Sequence, residues 1–79
     1  MKLTYDAAHN LAYLKLREAT AQVETLRVSD ELNIDLAPDG TIYGIEFLNA
    51  NAQLASDPAR ILTFVNESLG TSTHIKLSA

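Results

Sequence analysis

The chain of 79 residues predicts an α+β fold, an antiparallel β-meander of about five strands followed by one C-terminal α-helix. Three observations carry that expectation. Short segments between Lys2 and Leu48 alternate apolar and polar side chains, the period of half-buried strands. Turn-forming residues separate several of them. After Leu48 the pattern changes, and apolar residues recur at the spacing of an amphipathic helix.

The first strand runs from Lys2 to Asp6, with Leu3 and Tyr5 on one face and Lys2, Thr4 and Asp6 on the other. Ala7-Ala8-His9-Asn10 reads as a four-residue hairpin loop, because the Asp6 and Asn10 side chains tolerate turn backbones and bond their own main chain. From Leu11 to Leu16, Ala12, Leu14 and Leu16 share one face, and Tyr13 and Lys15 take the other with Arg17. Residues 21–28 form a weaker third strand with no cleanly apolar face, expected at a sheet edge or with a bulge.

The next pair is clearer. Leu32, Ile34 and Leu36 alternate with Asn33 and Asp35, and Tyr43, Ile45 and Phe47 alternate with Gly44 and Glu46. Ala37-Pro38-Asp39-Gly40 between them suits a type I turn. A four-residue loop sets Leu36 opposite Thr41, Ile34 opposite Tyr43 and Leu32 opposite Ile45. Beyond them, Asp57 followed by Pro58 resembles a helix start. Ile61, Leu62, Val65 and Leu69 recur at helical spacing with Phe64 beside them, and Gly70 is a natural terminator. These residues predict a helix within 57–70, with 71–79 as a tail or an edge strand around Ile75 and Leu77. No repeat or linker divides the chain, so residues 1–79 read as a single small domain.

A chain of this length buries a thin core, and small domains compensate with disulfides, metals or partner subunits. Cysteine is absent, which removes disulfides and thiolate metal sites and leaves oligomerisation open. Hydrophobic residues at 47% and charged residues at 20% fit a folded domain rather than a disordered tail. No apolar run is long enough for a membrane span and the first residues lack a signal-peptide pattern, so a cytoplasmic location is the expectation. The net charge is −4 with Lys and Arg scattered from end to end, which disfavours nucleic acid as a partner.

Two stretches, MKLTYDAAHNLAYLKLRE at the start and LNIDLAPDGTIYGIEFLNA at 32–50, together resemble the bacterial domain-of-unknown-function family DUF2283. The likeness rests on Tyr5, Asp6, Tyr13, Leu14, Leu16, Ile34, Asp35, Asp39, Gly40, Gly44, Ile45 and Glu46, and covers roughly residues 1–50. It implies a compact, mostly antiparallel β fold without an established activity. Relatives are often encoded beside small toxin-like proteins, so the resemblance also implies an antitoxin-like or partner-binding role, by association rather than by mechanism. His9 stands where relatives usually carry an acidic or small residue, which argues against an essential imidazole.

Candidate sites follow from residue chemistry. Asp6 and His9, near Tyr13, have the makings of an imidazole oriented by a carboxylate. The plainer reading is turn chemistry in the hairpin loop. Asp35 and Glu46, on neighbouring strands and facing away from the apolar side, offer oxygen ligands to a hard cation, or simply form a solvated face. Gly44 within a strand marks a bulge or the close approach of a backbone or ring. Ile61, Leu62, Phe64, Val65 and Leu69 either pack on the chain's own sheet or form a subunit interface.

No base and nucleophile fall at a recognisable catalytic spacing, so a non-enzymatic protein-interaction module without cofactor is expected. Its partner is a further copy of the chain or a neighbouring small protein. The alternative is a small-ligand or divalent-metal-binding domain using Asp6, His9 and Tyr13 or Asp35 and Glu46.

Overall fold

The computed structural model describes residues 1–18 and 22–77. Five strands, β1 (Lys2–Asp6), β2 (Leu11–Lys15), β3 (Glu24–Ser29), β4 (Leu32–Leu36) and β5 (Ile42–Leu48), form one antiparallel sheet in the order β1-β2-β5-β4-β3. A short helix α1 (Ala50–Leu54) follows, and then a separate hairpin of β6 (Ile61–Asn66) and β7 (Thr71–Lys76).

The sheet departs from a simple meander, because β2 pairs with β5 and β3 lies on the far edge. The composition of β3 explains its place. All six of its residues are exposed, and a strand without a clean apolar face loses least at an edge. Its ladder shifts between Arg27 and Ser29, the irregularity expected there. The start of the predicted third strand, Ala21, lies outside the described residues.

The β4–β5 register also differs from expectation, by one residue at Leu36 and by two at Ile34 and Leu32. Leu32 faces Phe47 and Ile34 faces Ile45, while Leu36 faces Ile42. Gly40 N donates to Ala37 O at 2.9 Å, as a type I turn requires, but Gly40 then takes φ 85 and Ala37 N donates to Thr41 O at 2.8 Å. Ala37 therefore pairs with Thr41 and the loop closes around three residues, one fewer than expected, while Tyr43 is the further unpaired residue where the ladder shifts after Asp35. From Asp35 back to Leu32 the displacement is even, which preserves the faces there. Leu3, Tyr5, Ala12, Leu14, Ile34, Ile45 and Phe47 share one side, and Thr4, Tyr13, Asn33, Asp35 and Glu46 the other.

The predicted helix over 57–70 is a hairpin instead. Ile61, Thr63 and Val65 are β-branched and alternate with Leu62 and Phe64, a pattern that suits a strand as well as a helix over so short a run. The loop decides. Asn66 O accepts from Leu69 N at 3.3 Å and Gly70 N at 2.9 Å, and Gly70 takes φ 67, so the glycine reverses the chain rather than ending a helix. Thr71–Lys76 then pairs with β6, not with the main sheet. Ser78 and Ala79 of the expected tail lie outside the described residues.

The core is small. Its buried apolar residues are Ala12, Ala37, Ala50 and Ala55, and no larger side chain is fully buried among the described residues. The molecule is a slab measuring 36 × 33 × 19 Å. No helix among the described residues is long and apolar enough to cross a membrane.

Candidate functional site

On the polar side of the sheet, Tyr13 of β2 reaches over the neighbouring strand. Its hydroxyl donates to Asp35 Oδ2 on β4 at 2.6 Å, and Thr25 Oγ1 on β3 donates to the other carboxylate oxygen at 2.6 Å. The ring crosses β5 at Gly44, where a Cβ would lie 2.6 Å from Tyr13 Cε1. The ring whose approach the glycine permits is thus Tyr13. Burial, followed by the Asp35 carboxylate, pushes the Tyr13 phenol well above its ordinary value. Asn33 Nδ2 donates to Glu46 Oε1 at 2.9 Å, so Asp35 and Glu46 each already have a protein donor.

The opening loop serves two structural ends. His9 N donates to Asp6 Oδ1 at 3.1 Å and the His9 ring lies 2.8 Å from Asp6 Oδ2, with both side chains largely exposed. The main-chain bond from His9 and then its ring hold the Asp6 carboxyl below its usual range. Asn10, at φ 59, accepts from Asn51 N at 2.7 Å, and Tyr5 Oη donates to Asn51 Oδ1 at 2.6 Å. Asn51 Nδ2 in turn donates to Ala7 O at 3.2 Å. This socket holds helix α1 against the β1–β2 loop. A helix this short leaves no periodic signal in the sequence, so the pattern of residues 49–55 does not announce it.

Asp6, Tyr13 and Glu46 border one shallow hollow, whereas Asp35 bonds Tyr13 farther along the polar face. Among the described residues, no group of three or more His, Asp or Glu is placed to hold a metal ion.

The apolar side is different in kind. Leu3, Leu14 and Phe47 of the sheet, Leu54 of α1, and Leu62, Phe64 and Ile75 of the hairpin line a cavity of about 590 Å³ open to solvent. The hairpin covers the sheet loosely, leaving Leu62 41% and Phe64 59% exposed. The predicted stripe is split by the strand geometry. Leu62 and Phe64 share the face toward this cavity, Ile61 and Val65 take the opposite one, and Leu69 sits exposed in the turn.

Residues 2–51 match the family described as Protein of unknown function (DUF2283). The chain belongs to that family. No curated protein and no solved structure matches it. The DUF2283 region holds all five strands of the sheet and the start of α1, so one wall of the cavity lies within it. Leu54 and the hairpin residues that form the other wall lie beyond it.

Proposed function

We propose that this DUF2283 chain is a non-enzymatic interaction module that works as a homo-oligomer, with a second copy covering apolar surface that one chain leaves open. One observation carries the reading. The accessible surface is 5668 Å², about 1,000 Å² above the ~4,700 Å² expected of a compact monomer of 8.6 kDa. That excess matches the roughly 800 Å² each partner buries in a stable interface. A radius of gyration of 14.1 Å, against about 12 Å for a compact domain of this length, agrees with it. Oligomerisation is also the remedy open to a small, cysteine-free chain with an alanine core.

Light scattering over a dilution series, with and without millimolar divalent cation, tests the proposal. A dimeric or larger mass that is indifferent to metal supports it. A monomeric mass across the series rejects it.

A further inference from the structure

We infer that β6 pairs antiparallel with β6 of a second copy, joining two hairpins into one four-stranded sheet with Thr63 at the twofold axis. This rests on the homo-oligomer reading and specifies its interface. Exposed strand edges are sites of intermolecular pairing, and proteins blunt them with charged residues and bulges. Three edge strands here are blunted: β1 carries Lys2 and Asp6, β3 carries Glu24 and Arg27 with a ladder shift, and β7 carries Lys76. Strand β6, Ile-Leu-Thr-Phe-Val-Asn, has neither charge nor bulge. A two-stranded hairpin is also marginal in water and gains from added strands.

Backbone geometry fixes the register. Leu77 N donates to Arg60 O at 2.7 Å and Gly70 N donates to Asn66 O at 2.9 Å, so the even-numbered residues of β6 turn their groups toward β7. Ile61, Thr63 and Val65 turn theirs to the free edge. Symmetric pairing through those residues over the full strand sets Thr63 opposite its own copy and Ile61 opposite Val65. Leu62 then faces Phe64 of the second copy. The apolar cavity faces of both hairpins become continuous, and no charged residue enters the new ladder.

The absence of cysteine makes a clean test available. Directly opposed hydrogen-bonded residues lie about 5.5 Å apart at Cα, within the usual disulfide range. Thr63→Cys should form a disulfide-linked dimer under mild oxidation at micromolar concentration. His74→Cys, opposite Thr63 on the blunted edge, should stay largely unlinked. Ile61→Cys mixed with Val65→Cys should give mostly the mixed dimer. Thr63→Pro removes an outward N–H that the hairpin itself does not use, and should lower the solution mass while preserving the strand circular dichroism. An oligomeric wild type whose Thr63→Cys variant does not link, or whose His74→Cys variant links equally well, overturns β6 pairing and leaves the oligomer reading standing. A monomeric wild type overturns both.

Discussion

Tyr13 lies over Gly44 and hydrogen-bonds Asp35 on the far side of β5, so one missing Cβ connects β2 to β4 across the strand between them. A methyl group at position 44 would overlap the ring and force it away. Gly44→Ala should destabilise the fold by roughly 1–3 kcal/mol, the range for overpacking, despite the usual gain from replacing a strand glycine. In Tyr13→Ala the obstacle is absent, so adding Gly44→Ala should cost much less. Urea unfolding of the two single variants and the double variant measures this coupling. Additive losses would mean that the close approach has no energetic consequence.

The same contact predicts a dependence on alkaline pH. Burial and the Asp35 carboxylate both disfavour the Tyr13 phenolate in the folded chain, so its folded pKa is raised above 10.0. A raised acid keeps its full stabilising contribution below its unfolded pKa and loses it as pH rises through the folded one. Stability should therefore begin to fall above about pH 10, and Tyr13→Phe should flatten that decline. Phenolate absorbance followed beside circular dichroism provides the readout. A wild-type decline unchanged by Tyr13→Phe would assign it to other groups.

Two loops show what the sequence made legible and what it hid. In the first, Asp6 Oδ1 accepts from His9 N and Asn10 adopts φ 59; in the second, Asn66 Oδ1 accepts from Leu69 N and Gly70 adopts φ 67. The geometry recurs. The first was readable because clean alternation flanks it. The second was not, because Ile61, Leu62, Val65 and Leu69 also satisfy helical spacing and a glycine suits a helix end as well as a turn. Strand faces beyond the β4–β5 loop are as expected because the unpaired Tyr43 makes the displacement even from Asp35 to Leu32. The order of strands was beyond reach, since it depends on β2 meeting β5 across a separation of 26 residues between β2's last and β5's first residue. Among the candidate ligands, Tyr13 and Asp35 do meet, but in a bond that ties strands together.

Asp6 predicts an effect at the acid end. Its carboxyl is held below 3.8 by the His9 main-chain N–H and then by the His9 ring. A lowered acid contributes stability above its unfolded pKa and loses it as pH falls through the folded value. Asp6→Ala should therefore lower the melting temperature at neutral pH, and the difference from wild type should shrink as the pH falls below 3.8 and the folded-state carboxyl takes up its proton. A difference constant down to pH 2 would locate the role of Asp6 in something other than its charge.

Asn51 is expected to matter more than the exposed Asp6–His9 pair, because its bonds are partly shielded and tie separate elements together. Its side chain accepts from Tyr5 Oη and donates to Ala7 O, joining α1 to both β1 and the loop after it. Asn51→Ala leaves the main-chain bond to Asn10 but removes both of these, an expected loss of about 1–3 kcal/mol. His9→Ala should cost far less, since its ring is exposed. The consequence extends beyond stability, because Leu54 in the same helix borders the apolar cavity. A loosened α1 displaces that border and should weaken self-association along with the fold. Urea unfolding and light scattering on the Asn51→Ala protein measure the two effects separately. Lost stability with an unchanged dissociation profile would separate the helix socket from the interface.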